Sequence, residues 1–453
     1  MGRHMDRRRI VGWWMFDWAS QPYFTLILTF VFGPYFASVA TESFMAGGLD
    51  EQAADARAQG LWSLGQTATG ILIALMAPVL GALADNAGRR MPWIIGFSLC
   101  YVVGAYALWW TMPDGSNLVF ALCAFGLGLI GAEFTTIFTN ALLPDLGSET
   151  EIGRISGTGF AIGYAGGMLA LFAMLLFLAE GETGRTFAGF DPAFGLDPDL
   201  REGTRSVGPF AAIWYAVFMV PFFLWVREVP GASKPGGVGR ALKDLLTTVK
   251  SLPQRRSLFA YLGSSMFYRD ALNALYGFGG TYAVLVLNWS ITQIGIFGIL
   301  SVITSAVATW VGGRIDSARG PKPLVATMVV LLTAICAFIP GLTETQIWGI
   351  STTLTDPVFF LCGALIGGAG GILQSASRSL MVRHAEPDRP TEAFGLYALS
   401  GKATAFLGPF LIGLTTVALG DARFGVVPLI ALFLIGLILL FWVHPRGLKA
   451  EAI

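Results

Sequence analysis

Gly81-Ala82-Leu83-Ala84-Asp85-Asn86-Ala87-Gly88-Arg89-Arg90 returns in altered form as Gly312-Gly313-Arg314-Ile315-Asp316-Ser317-Ala318-Arg319-Gly320-Pro321-Lys322. Both segments follow the spacing G-x-x-x-D-x-x-[GR]-[RG], and both close an apolar run long enough to cross a bilayer. Glycine on a membrane helix lets a neighbouring helix approach closely. A carboxylate at the helix end can pair with an arginine in the next turn and lock one face of a bundle. Two basic loops could each contain an aspartate by chance, but the same spacing at equivalent points argues for a repeated unit. Asp85, Gly88, Arg89, Arg90, Asp316 and Arg319 are the loop residues expected to gate one end.

The flanking sequence agrees. Of 453 residues, 54% are hydrophobic and 13% charged, against about 25% charged in soluble domains, and the mean hydropathy is +0.65. A spanning helix needs about 20 mainly apolar residues. By that measure twelve runs are expected, near 11–40, 61–84, 92–112, 117–143, 155–180, 208–226, 257–287, 291–314, 323–341, 357–380, 391–418 and 424–444. With both termini placed in the cytoplasm, the inner segments hold 22 of the 29 basic residues and the outer segments 5, while Arg269 and Lys402 lie within spans. This asymmetry follows the positive-inside rule and suits a bacterial inner membrane. Zero net charge gives no footprint for nucleic acid. The four cysteines all fall in apolar runs, so no disulfide is expected.

The division into halves has a seam. Residues 1–226 and 257–453 would each form a six-helix bundle, joined by a linker at 227–256. That linker carries Pro230, Gly231, Pro235, Gly236 and Gly237, then a basic amphipathic stretch from Arg240 to Lys250, which reads as a tethering helix on the inner membrane surface. The opening Met1-Gly2-Arg3-His4-Met5 reads as a cloning remnant.

More specific blocks are spread through both halves. They are Trp13-Trp14-Met15-Phe16-Asp17-Trp18-Ala19-Ser20 with Phe30-Val31-Phe32-Gly33-Pro34-Tyr35-Phe36; Asn140-Ala141-Leu142-Leu143-Pro144 with the glycine-rich Gly153 to Gly167; Gln374-Ser375-Ala376-Ser377-Arg378-Ser379; and Glu392-Ala393-Phe394-Gly395-Leu396-Tyr397 with Gly401-Lys402. Together with the loop motifs they resemble the major facilitator superfamily, and within it the Unknown Major Facilitator family, which includes the autophagy-related vacuolar amino-acid effluxers. The resemblance implies an all-α membrane protein of twelve transmembrane helices in two pseudo-symmetric bundles. It implies a central cavity lined by spans 1, 4, 7 and 10, and transport by alternating access rather than catalysis. An amino acid or similar zwitterion is the implied cargo, with efflux as one direction. The glycine motif of superfamily exporters is matched only loosely, since Tyr164 stands where they have proline.

Five ionisable residues fall inside spans: Asp17, Glu133, Arg269, Asp270 and Lys402. Each costs at least about 2.5–3.5 kcal/mol at a bilayer centre, so each should face protein or water and is a candidate for substrate binding or coupling. Adjacent helix residues do not share a face, so Arg269 and Asp270 need partners on other helices. Lys402 is the expected partner of Asp270, and Asp17 or Glu133 that of Arg269. Three acids against two bases leave one over; Glu133, near Thr135, Thr136 and Thr139, is the expected proton carrier. Tyr268, Asn273 and Tyr276 flank the charged pair and could shape a site. Gln374 and Arg378 share a helix face and either touch a substrate carboxylate or close the inner gate against Asp145 or Glu386; Arg154 joins the gate set.

Other signals carry less. Gly126-Leu127-Gly128-Leu129-Ile130-Gly131 fits a dinucleotide fingerprint but follows no strand. Gly395 to Lys402 resembles a phosphate loop only faintly, with one residue too many, Ala403 after the lysine, and a place inside a span. His4, His384 and His444 are scattered, so no metal or cofactor is expected. The expected partners are a small-molecule substrate, a proton or other coupling ion, and membrane lipids, in a monomer. A lipid or lysolipid flippase is the alternative cargo class. A non-transporting receptor or scaffold is the alternative of another kind.

Overall fold

The computed structural model describes residues 7–181, 183–228 and 237–447. The opening Met1 to Asp6 and the seam residues 229–236 lie outside them. The long helices are α1 (Arg7–Ala46), α2 (Glu51–Ala87), α3 (Met91–Trp110), α4 (Leu118–Asp145), α5 (Glu149–Phe177) and α6 (Glu202–Trp225) before the linker. After it come α7 (Arg256–Leu285), α8 (Ile291–Arg319), α9 (Pro321–Gly341), α10 (Thr355–His384), α11 (Pro390–Leu419) and α12 (Ala422–Leu440). The linker forms its own helix, Gly237–Ser251.

Among the described residues eleven helices are long and apolar enough to cross a membrane. The twelfth expected span, α7, has 30 residues, which at about 1.5 Å each is ample length. Its deficit is in hydropathy, since it carries Arg269, Asp270 and many serines and tyrosines. A helix that faces helices and water rather than lipid can tolerate this.

Local chemistry sets the ends. Asp50 accepts the Ala53 N–H at 2.9 Å to cap α2, and Ser148 with Glu151 makes a reciprocal cap at the start of α5. Gly88 ends α2 at φ +68°, a left-handed conformation that a side chain would strain. Two spans are interrupted. Beyond Pro22, α1 winds as a π-helical stretch over Tyr23–Phe30. In α11 the first piece ends at Ala403 and the second begins at Leu407.

The halves meet tightly at one end, which bears both described chain ends and the loop motifs. There α2 lies against α11, with Gly81 on the backbone of Thr391 and Gly395 on that of Ala77. Likewise α5 lies against α8, with Gly157 on Gly313. A methyl group at Gly81, Gly157 or Gly395 would collide with the facing backbone. Toward the other end Gly60 and Gly70 of α2 and Gly277 and Gly280 of α7 face nothing within 4 Å. The close backbone contacts between the halves thus gather at the terminus-bearing end.

Replacing Gly157 by leucine should force α5 and α8 apart. With a cysteine at the buried Ser375 as reporter, water-soluble maleimide should react several-fold faster in the Gly157→Leu background than without it. Equal rates would mean that this glycine contact does not hold the end closed.

Candidate substrate and gating site

Where the halves meet, the tie is a buried cation. Arg378 on α10 is 3% exposed. Its guanidinium donates to Asp17 on α1 at 3.2 Å, to the Asn140 side-chain oxygen at 3.2 Å, and to the Ser156 hydroxyl and carbonyl at 2.9 and 2.7 Å. Its faces rest on Trp13 and Phe160, at 4.7 and 4.1 Å from the ring centroids. One side chain of the second half thus grips α1, α4 and α5 of the first. Arg378 ties the two halves together, but its carboxylate partner is Asp17 rather than Asp145 or Glu386. Those two acids sit at helix ends, where they meet Arg90 and Arg255. One turn along α10, Gln374 donates to the Tyr164 hydroxyl at 3.3 Å.

A second ionic link crosses between the halves. Lys402 Nζ on α11 lies 2.7 Å from Glu133 Oε1 on α4. The two side chains are 30% and 18% exposed, so a solute in the cavity can reach them. Beside them Arg269 stacks over the Tyr397 ring at 4.2 Å, donates to the Tyr397 carbonyl at 2.9 Å, and lies against Gly401, where a methyl group would collide with its guanidinium. Asn273 and Tyr276 follow on α7 and are exposed. Tyr268 is fully buried and bonds to the Ser377 hydroxyl at 2.8 Å; it braces α7 against α10 instead of lining the cavity.

The pairing differs from the sequence expectation. Lys402 pairs with Glu133, not Asp270, and Arg269 meets a ring and a carbonyl rather than a carboxylate. The reason is azimuth: Asp270 points away from the cavity. It is 1% exposed and accepts the Gly408 N–H at 3.1 Å from the second piece of α11. Its other oxygen has no hydrogen-bond partner. The acid left without a cation is therefore Asp270, and Glu133 is matched.

At the closed end Asp85 accepts the N–H groups of Thr391 and Glu392 at 3.2 and 2.7 Å. A carboxylate of α2 thus sits on the N-terminus of α11, where the helix dipole favours it. Arg90 adds a bond to the Thr391 hydroxyl at 2.9 Å and lies 3.5 Å from Asp85. The second copy of the motif behaves differently. Asp316 is 2% exposed, packs on Gly153, and one of its oxygens lacks a partner. The side chains of Arg89, Arg154 and Arg319 are exposed, while the Arg154 N–H donates across the halves to the Ser317 hydroxyl at 2.8 Å.

Sequence reasoning did not single out Asn140, Ser156, Phe160, Tyr397 or Glu228. Glu228 accepts the Arg90 and Met91 N–H groups at 2.5 and 2.9 Å, capping α3 from the start of the linker. Asn140 and Ser156 stood inside blocks already noticed, so a buried arginine with unmet donors was the available signal.

Two helical halves around a charged cavity, tied at one end by repeated acid–glycine loops, define a membrane transporter of the major facilitator class rather than an enzyme. The chain belongs to the family described as "Vacuole effluxer Atg22 like", whose model matches residues 67–452. It is 24% identical over 437 residues to the uncharacterized MFS-type transporter YxiO of Bacillus subtilis, covering 95% of this chain and 94% of that one. It is 26% identical over 326 residues to autophagy-related protein 22-2 of Emericella nidulans, covering 66% of this chain and 52% of that protein. The match thus spans about half the length of that fungal relative. The proton:xylose symporter XylE superposes with a TM-score of 0.72 at 12% identity, over 98% of each chain. The expected family, all-α fold and integral membrane character are thereby borne out.

Arg378→Ala should leave the carboxylate of Asp17 buried and unmatched. Such a change costs about 3–5 kcal/mol, visible as a fall in the unfolding temperature of the detergent-solubilised protein. Adding Asp17→Asn should recover part of the loss. A double variant as unstable as the sum of the two singles would show the groups to be uncoupled.

Proposed function

We propose that this transporter moves a small zwitterion of the amino-acid class by alternating access, driven by protons. The observation that carries the reading is the Glu133–Lys402 pair, 2.7 Å apart, partly exposed, and joining the two halves. A solute with one ammonium and one carboxylate can replace each partner, its ammonium on Glu133 and its carboxylate on Lys402 and Arg269. Asn273 and Tyr276 would supply neutral contacts. The exchange substitutes three ionic contacts for one and removes the direct link between the halves, so binding energy goes into loosening the closed end. The remaining tie, Arg378 with Asp17, then opens for the reverse tilt.

The proton belongs at Asp270 in this scheme. As an anion it would be a buried charge with one hydrogen bond and no cation, an expensive state; as an acid it needs no countercharge. Its single bond runs to the start of the second piece of α11, so gain or loss of the proton would act on the helix that carries Lys402. The words "vacuole effluxer" in the family description support export as the direction, and the bacterial relative supports a plasma-membrane setting with both termini cytoplasmic. The protein would work as a monomer.

Purified protein should first be screened for thermal stabilisation by amino acids, sugars, nucleosides and lysolipids. A ligand at a hundred times its dissociation constant adds about 2.7 kcal/mol. In proteoliposomes, an amino acid that stabilises the protein should accumulate under an imposed pH gradient. Glu133→Gln and Lys402→Gln should each weaken its binding more than tenfold. Asp270→Asn should keep counterflow exchange yet lose dependence on the gradient. Stabilisation by lysolipids alone would replace this reading with the flippase one. Gradient-driven uptake by Asp270→Asn would remove the proton from that site.

A further inference from the structure

The linker helix has three faces with different surroundings. Ala241 and Leu245 are 1% and 7% exposed and pack on Val79, Ala82 and Leu83 of α2. On the same side Asp244 lies 3.5 Å from Arg389, whose guanidinium also donates to the Thr248 hydroxyl at 3.3 Å. The adjoining face carries Val238, Leu242, Leu246 and Val249, which are 59%, 39%, 59% and 43% exposed. At 100° per residue these four fall in one sector of about 80°. The remaining face is polar, with Lys243, Thr247 and Lys250, all exposed.

We propose that this helix lies in the membrane surface, its Val238–Leu242–Leu246–Val249 face in the acyl boundary and Lys243 and Lys250 on anionic lipid headgroups, and that this grip holds the adjacent gate shut. The segment of α2 on which it packs is the end of a membrane span, so the uncovered apolar face lies beside the bilayer edge. Lys243 and Lys250 border that face on the side away from the protein, where long cationic side chains reach the headgroups while their stems stay on apolar surface. The charge selects anionic over zwitterionic lipid. A protein partner would need no such placement at the end of a span.

The link to the gate is short. Arg389 lies 3.7 Å from Glu392, and the Glu392 N–H is one of the two that Asp85 accepts. The linker helix therefore holds, through Arg389 and through the Thr248 hydroxyl on Glu392, the N-terminal turn of α11 where it meets α2. Separation of α2 from α11 would draw Arg389 away from Asp244 and Thr248. A lipid that fixes the helix on α2 binds the closed arrangement better than the open one, and a ligand shifts an equilibrium by that difference. The inference is independent of the cargo.

The test uses the full chain in nanodiscs, with Cys100, Cys123, Cys336 and Cys362 replaced. A fluorophore on Leu246→Cys should be quenched by lipid-attached nitroxide and shielded from iodide, and one on Thr247→Cys the reverse. Equal iodide quenching at both positions would overturn the placement. Adding phosphatidylglycerol to phosphatidylcholine should slow maleimide labelling of a cysteine at Ser375 several-fold. The Lys243→Gln/Lys250→Gln pair should lose that slowing, and Arg389→Gln should lose it while Leu246→Cys remains lipid-quenched. Slowing that persists in the double glutamine variant would place the lipid effect elsewhere, and persistence in Arg389→Gln would break the link to the gate.

Discussion

A guanidinium at the seam of two membrane bundles is stable only where every donor and both faces are met. Arg378 achieves this with groups drawn almost wholly from the other half: a carboxylate on α1, an amide on α4, a hydroxyl and a carbonyl on α5, and two rings. None of these groups alone would hold the charge away from water. The requirement fixes how α10 sits against α1 and α5, and so the depth at which the cavity ends. The other contacts at this end are shorter-range consequences. Once Arg378 is seated, Gln374 reaches Tyr164 and the Ser156 hydroxyl reaches the Ser375 carbonyl at 3.0 Å.

Closure is not the same on the two sides of that tie. Between α2 and α11 the close contacts of Gly81 and Gly395 are joined by an ionic one, a carboxylate on a helix N-terminus strengthened by Arg90. Between α5 and α8 closure is steric, glycine backbone on glycine backbone, with Asp316 buried alongside and not fully bonded. The repeated loop motif therefore does two jobs in one molecule. An ionic contact between surfaces loses strength with screening and distance gradually, whereas close packing is lost over a fraction of an ångström. The glycine contacts on both sides set how exactly the halves must meet, and the ionic one sets how strongly α2 and α11 return.

The fold was legible because its signals are one-dimensional. Apolar runs, basic loops and two copies of a spaced motif survive without coordinates, and α7 was counted among the twelve mainly apolar runs despite its polar residues. The list of intramembrane charges was legible for the same reason: each is expensive wherever it points. Pairing was not, because it depends on azimuth as well as depth. Lys402 and Asp270 were matched by distance along their helices, yet Asp270 faces Gly408 and Lys402 faces Glu133. Tyr268 shows the same limit, being one residue from a cavity-facing arginine and on the wrong side of the helix. Asn140 and Ser156 were hidden because a small polar residue inside a span carries no signal until a buried charge needs it.

The break in α11 gives the proposed chemistry a mechanical connection. Lys402 is near the end of its first piece and Gly408 near the start of the second, with Thr404 to Phe406 between them. In an unbroken helix, a change at Gly408 would be absorbed by the ladder of backbone bonds. Here the ladder is interrupted: the second piece begins with the Gly408 N–H on Asp270, while the first ends beside Arg269, which lies on Gly401. Arg269 and Asp270 are neighbours on α7, so the two pieces of α11 are pinned to one turn of a single helix. Motion of that turn changes the angle between the pieces and with it the reach of Lys402 toward Glu133. A proton on Asp270 and a solute beside Arg269 would then act on the same hinge without touching.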